Sequence, residues 1–324
     1  MKAMKRSLIF CFLLGLFLPV WADKEAELEH MLKHYPASDA NQDGTLAEGE
    51  AGRYFMRHFQ KKRPNRGTGI GDKSLIDLYE AREFQGMPYR VLKPLRIKDG
   101  QRVPLILSLH GSGGVGTDNR SNLRDWNQVM AQESWRKKYP SVVIVPQRRP
   151  GGIWGPKPDD ERVKNYYVRN DLEKAFLLIE EMKAEFPIDD SRIYVLGSSG
   201  GGIGTWNAVV YRPDLFAAAI PVCGRFPYSP EQIDRIKDIP IWCFHGDADQ
   251  LVDVEESRKA FSKMSKRNAL MKYTELRDVR HNSWIQAFRY QGDDQAKGYL
   301  TSFSSNRCDP TDDIWEWLFS KRKS

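Results

Sequence analysis

Six short apolar runs constrain this chain more than any other feature: residues 104–110, 141–145, 192–196, 217–222, 239–244 and 271–276. Each is too short for a core helix and rich in Val, Ile and Leu, the mark of a strand covered on both faces. Helical patterns separate them. An amphipathic stretch lies around Trp126 to Trp135, residues 171–185 follow Asn170 as a natural N-cap, and a glycine-rich turn after residue 196 opens a helix ending at Tyr211. Strands alternating with helices imply an α/β architecture, a mostly parallel central sheet with helices on both faces. At 324 residues and 40% hydrophobic, the chain is long enough to build that core beside a smaller unit.

The smaller unit lies in front. Lys2, Lys5 and Arg6 precede an apolar run over residues 8–18, then Pro19 and Val20-Trp21-Ala22. A basic start, a short apolar centre and small residues at the cleavage positions predict a signal peptide over residues 1–22. The run falls short of the roughly 20 residues a bilayer requires. The mature chain is thus expected to be secreted or periplasmic, with no stable membrane anchor after cleavage. Residues 39–50 place Asp39, Asn41, Asp43, Gly44, Thr45 and Glu50 at positions 1, 3, 5, 6, 7 and 12 of an EF-hand loop. Three side-chain oxygens, the Thr45 carbonyl, a bidentate Glu and a glycine at the sharp turn suit a hard calcium ion. Pro36 departs from the usual entering helix, and no second hand is visible. The domains read as a signal peptide (1–22), a small helical EF-hand-like segment (23–59), a linker rich in charge, Pro and Gly (60–76) and the α/β unit (77–324).

Charge and cysteines exclude other classes. The net charge of +7 falls to +4 once Lys2, Lys5 and Arg6 are removed, too weak and mixed for a nucleic-acid partner. Outside the leader only Cys223, Cys243 and Cys308 remain, so no disulfide framework holds the fold.

In parallel sheets chemistry gathers at the carboxyl ends of strands. After residue 196 come Gly197-Ser198-Ser199-Gly200-Gly201, a G-x-S-x-G nucleophile elbow. Register favours Ser199, with Gly197 and Gly201 two residues either side, over Ser198. Elbow enzymes carry their acid and then their histidine later in the chain. Asp249 follows the fifth run, with Asp247 as rival acid, and His281 follows the sixth. His110 and His245 each precede a glycine at a strand end and are ascribed to backbone geometry, leaving His281 as general base. The oxyanion donors are expected from the backbone N–H of Gly200 and of Ser112, with Gly113 as the alternative. Gly111, Gly113 and Gly116 also spell a dinucleotide fingerprint; the next strand runs into Pro146-Gln147-Arg148-Arg149 without the ribose-binding carboxylate, although Arg148 and Arg149 suit a 2′-phosphate and keep a dinucleotide-dependent enzyme as an alternative. Trp154 and Trp284 are candidate substrate contacts, and the chemistry requires no metal or organic cofactor.

With residues 104–119, 194–201, 245–252 and 281–284 in view, residues 84–324 resemble the α/β-hydrolase superfamily. More narrowly they are similar to exported bacterial esterases of the predicted-peptidase and phospholipase/carboxylesterase-like kind, near feruloyl esterases and polyester depolymerases. The resemblance implies a serine hydrolase acting on a small-molecule or polysaccharide-linked ester. The alternatives are a serine peptidase of the prolyl-oligopeptidase-like type and a non-catalytic calcium-binding protein. Gly200 departs from the bulkier residues common after such a nucleophile, which leaves a roomier site.

Overall fold

The computed structural model describes residues 42–44, 72–155, 169–226 and 228–323. The chain divides into two units, residues 1–66 and 67–324. The signal peptide and most of the calcium loop lie outside the described residues. Of that loop only Gln42, Asp43 and Gly44 are described, Gly44 at φ 78°, the left-handed conformation the sharp turn requires.

The larger unit is built on a nine-stranded sheet in the order β1-β2-β4-β3-β7-β8-β9-β10-β11. Its strands are β1 (Tyr79–Phe84), β2 (Met87–Leu92), β3 (Val103–Leu109), β4 (Val142–Pro146), β7 (Ile188–Ser198), β8 (Ala218–Val222), β9 (Ile241–Gly246), β10 (Met271–Leu276) and β11 (Tyr299–Phe303). A separate two-stranded pair joins β5 (Gly152–Ile153) to β6 (Arg169–Asn170). The strands from β4 to β10 pair in parallel, whereas β1, β2 and β11 join antiparallel. The six apolar runs are the six parallel strands.

The edges differ from the sequence reading, which ended the sheet at residue 276. Strand β1 exposes Glu80, Ala81 and Glu83, and β11 is mostly exposed, so neither carries the continuous apolar signal of a central strand. A two-residue turn, Gln85-Gly86, closes the β1–β2 hairpin with Phe84 opposite Met87. Both turn residues have positive φ, 48° and 72°, as the twist of a tight hairpin demands.

Helices cover both faces. They are α1 (Asp125–Ala131), α2 (Glu133–Lys138), α3 (Asp171–Glu185), α4 (Gly200–Tyr211), α5 (Pro230–Asp234), α6 (Glu255–Ser265), α7 (Trp284–Ala287) and α8 (Ile314–Ser320). Helix α3 starts where Asn170 Oδ1 accepts from the Leu172 and Glu173 N–H groups. Its Leu172, Ala175, Leu178, Ile179 and Met182 recur at helical spacing and bury one stripe. That stripe joins Trp206 and Val209 of α4 and Leu105, Leu107 and Leu109 of β3 in one core cluster. Ile106, pointing the other way, packs with Trp126 of α1 and Trp317 of α8 in a second cluster. Strand β3 therefore feeds two cores, which is why every residue along it is buried.

Strand β3 is also where the sheet changes direction: the chain goes to β4 on one side and returns as β7 on the other. The crevice between the ends of β3 and β7 is where open α/β sheets bind ligands. The loops after β3, β7, β9 and β10 meet there.

Candidate active site

The turn after β7 is forced by close approach. A Cβ on Gly197 would sit 2.4 Å from the Leu109 carbonyl oxygen, and one on Gly201 1.9 Å from the same atom. Only hydrogen fits at both positions, so α4 begins directly against β3 despite the poor helix propensity of glycine. Between them Ser199 takes φ 56° and ψ −121°, a strained conformation for a residue with a side chain. Its N–H donates to the Val222 carbonyl at 2.9 Å, and its carbonyl accepts from Ile203 at 3.0 Å, fixing the elbow at both ends.

The Ser199 hydroxyl lies 2.9 Å from His281 Nε2, and His281 Nδ1 lies 2.7 Å from Asp249 Oδ2. Three side chains from the ends of β7, β9 and β10 thus form one hydrogen-bonded line. The Asp249 carboxylate is saturated: Oδ1 accepts from the Leu251 and Val252 N–H groups, and Oδ2 from His281 and His245. Burial by itself would raise its pKa, but the bonds from His245 and His281 outweigh that and hold it well below the usual carboxylate range. Asp247 is elsewhere, its Oδ1 accepting the Asp278 N–H at 2.6 Å across the turn after β10. Trp284 meets the His281 ring edge-on, 5.7 Å between centroids and 89° between planes. Beneath the histidine, the Cys223 thiol faces the His281 carbonyl oxygen at 3.6 Å. All three described cysteines are free.

Across the crevice, residues 112–114 form a single 3-10 turn after β3. The Ser112 N lies 3.6 Å, and its Oγ 3.7 Å, from the point where a Gly200 Cβ would sit, so the two expected oxyanion donors are neighbours. The same point on Gly113 meets Arg124 instead. A dinucleotide fingerprint must open a helix, and the first described helix after this turn starts only at Asp125.

Trp154 corrects an expectation. It is 2% exposed, and its Cβ and Cγ fill the space where Gly204 lacks a side chain. Its indole N–H donates to the His110 carbonyl at 2.9 Å, with the two rings packed edge to face. It buttresses the turn from behind and offers no face to a substrate.

Two histidines ascribed to backbone geometry act through their side chains. His110 Nε2 accepts the Arg148 N–H at 2.9 Å, and Nδ1 pairs with the Gly111 carbonyl at 2.6 Å. Burial, then the Arg148 charge, push its pKa down to about 3. His245 Nε2 lies 3.0 Å from the Val252 carbonyl and 3.2 Å from Asp249 Oδ2, while Nδ1 pairs with Ser257 Oγ at 2.7 Å. A carbonyl only accepts, so Nε2 carries the hydrogen and shares it with Asp249. The spacing of four residues between His245 and Asp249 was the available sequence signal.

The phospholipase/carboxylesterase family matches residues 146–291. A solved thermostable esterase superposes with a TM-score of 0.63 at 32% identity, over 77% of this chain and 64% of that one. A bifunctional acetylxylan esterase/xylanase of Neocallimastix patriciarum is 27% identical over 181 residues, 56% of this chain and 24% of that protein. Poly(3-hydroxyalkanoate) depolymerase C of Paucimonas lemoignei is 27% identical over 169 residues, 49% of this chain. The chain spans 24% and 37% of the lengths of these two relatives. No helix among the described residues is long and apolar enough to cross a membrane. With this sheet, this strand-end elbow and these matches, the chain has the α/β-hydrolase fold, and residues 146–291 are similar to the phospholipase/carboxylesterase family.

Proposed function

We propose that this protein is a serine hydrolase that cleaves carboxylic esters by a two-step acyl transfer to water. His281 Nε2 takes the Ser199 proton as Ser199 Oγ attacks the ester carbonyl, and the Gly200 and Ser112 N–H groups hold the developing oxyanion. The imidazolium returns the proton to the departing alkoxide, leaving an acyl-enzyme. Water, activated by the same histidine, then releases the acid. Asp249 fixes the orientation of His281 and stabilises its charged form. The single observation that carries this reading is the continuous line Ser199 Oγ–His281–Asp249, with contacts of 2.9 and 2.7 Å.

For the substrate, we propose an ester attached to a polysaccharide or polyester, met outside the cytoplasm after residues 1–22 are removed. The similarity to an acetylxylan esterase/xylanase and to a poly(3-hydroxyalkanoate) depolymerase supports this class. Trp284, partly buried beside His281, offers such a substrate an aromatic surface next to the base. Calcium at residues 39–50 is proposed as a weakly bound structural ion, consistent with the positive φ of Gly44.

The test pairs a fluorophosphonate probe with initial rates on short p-nitrophenyl esters, feruloylated sugars and peptide amides. Wild type is expected to label at Ser199 and to turn over esters. Ser199→Ala is expected to lose labelling and about a thousandfold or more in kcat/KM. Full esterase activity in Ser199→Ala overturns the assignment, and amide turnover without ester turnover overturns the ester class.

A further inference from the structure

Resting on the ester-hydrolase reading, we propose that Arg148 is a substrate-binding residue and that the preferred esters carry a carboxylate on the acyl side, close to the scissile carbonyl. Arg148 follows β4, and its backbone is locked to the turn after β3: its N–H donates to His110 Nε2 at 2.9 Å and its carbonyl accepts from Gly116 at 3.1 Å. The neighbouring arginine turns away, with Arg149 Nη1 3.1 Å from the Cβ point of Gly86. Arg148 turns inward. Its Nη2 lies 3.8 Å from the Cβ point of Gly200, the same point that has Ser112 N at 3.6 Å. The guanidinium and the Ser112 N–H therefore flank the same point above Gly200.

Among the described residues this cation has no hydrogen-bonding partner for its side chain. Its Nε is buried without a hydrogen bond, and among the described residues no carboxylate pairs with the guanidinium. Asp171, whose field reaches it, spends Oδ2 on the Arg149 N–H at 3.2 Å. A partly buried, unpaired guanidinium is costly to hold and is matched best by a two-oxygen anion, which its planar fork can bind through two bonds. Gly200 makes room for one, since any side chain there would project into the space between Ser112 and Arg148. An oxyanion sits about 3 Å from its N–H donors. A terminal carboxylate a few methylenes from the scissile carbonyl, as on a glutaryl chain, is the kind of group that meets Nη2 while the carbonyl oxygen stays on its donors.

The experiment compares monoethyl glutarate with ethyl pentanoate, which share a leaving group and differ by the terminal carboxylate. Ethanol release by wild type is expected to favour the glutarate ester by about tenfold to a hundredfold in kcat/KM, the usual effect of charge-assisted hydrogen bonds. Arg148→Gln is expected to bring that ratio near one, and Arg148→Lys to keep part of it. A wild-type ratio near one overturns the proposal. So does an Arg148→Gln variant that slows both esters by the same factor, which would make Arg148 an oxyanion donor or a purely structural residue. Should Arg148→Gln fail to fold, inhibition of wild type decides: glutarate is expected to compete with ethyl pentanoate where pentanamide does not, and equal or absent competition overturns the proposal. Failure of the underlying reading is distinct, because the protein would then hydrolyse neither ester and take no fluorophosphonate label.

Discussion

His245 offers the sharpest test of how the acid is held. In His245→Leu the shape of the site is roughly kept, but Asp249 Oδ2 retains one donor, His281, instead of two. Oδ1 still accepts from Leu251 and Val252, so the carboxylate stays in place while its second oxygen is less firmly aimed. A hydrogen bond to a charged group contributes about 1.5–3 kcal/mol. The 3.2 Å bond is shared with Val252, which puts its share near the lower bound and predicts a fall of about tenfold in kcat/KM. Loss of Asp249 itself, by contrast, would cost about 10⁴-fold. Ser257 Oγ and the Val252 carbonyl lose their partner too, so the melting temperature should drop as well. The assay is kcat/KM on a short p-nitrophenyl ester at 25 °C, together with the rate of fluorophosphonate labelling and a thermal melt. A purely structural residue would lower the melt and leave both rates intact while the protein is folded. Unchanged rates would refute the positioning role, and a 10⁴-fold loss would refute it from the other side by making His245 part of the chemistry.

Other outcomes can be stated briefly. Gly201→Ala places a methyl 1.9 Å from the Leu109 carbonyl and should cost several-fold or more in soluble yield, whereas Gly200→Ala meets nothing closer than 3.6 Å and should gain up to about 1 kcal/mol by helix propensity, both read by expression and thermal melts. Ser198→Ala should retain labelling and ester turnover within about tenfold, since the hydroxyl on His281 is that of Ser199. Lys272, 1% exposed on β10, lies 3.4 Å from the centre of the Trp242 ring and donates to the Thr311 carbonyl. Burial lowers its pKa from 10.5 to about 8. Between those values the unfolded chain holds the proton and the folded one does not, so stability should rise with pH by up to about 3 kcal/mol. Lys272→Met should then exceed wild type by about 1–2 kcal/mol at pH 7, after the lost ring and carbonyl contacts, and lose that advantage by pH 10.5; a constant difference in urea melts would refute this. Asp249 remains a carboxylate far into acid, so it does not set any acid limb of the rate profile.

What could be read from the sequence, and what could not, separates along one line. Strands β3, β4 and β7 to β10 were legible because covering both faces leaves an unbroken apolar run, and the order serine, acid, histidine was legible because each follows such a run. Edge strands β1 and β11 carry no such run, and the hairpin shows itself in the pairing of β1 with β2 and the positive φ of Gln85 and Gly86. The side-chain errors are of another kind. Neighbours along the chain suggest a substrate contact for Trp154 and a backbone role for His245. Trp154 meets Gly204 only once the chain has folded, whereas Asp249 is four residues from His245 and the spacing alone does not say that the loop after β9 turns the carboxylate back onto the ring. Helix α4 makes the point directly. Gly200 and Gly204 stand one turn apart, and each leaves a hole where a side chain would be. Trp154 fills the second hole from behind and fixes the turn, whereas the first opens on Ser112 and Arg148. Two identical residues on one helix therefore do opposite work, one admitting a piece of the protein's own core, the other leaving space for something the protein does not supply.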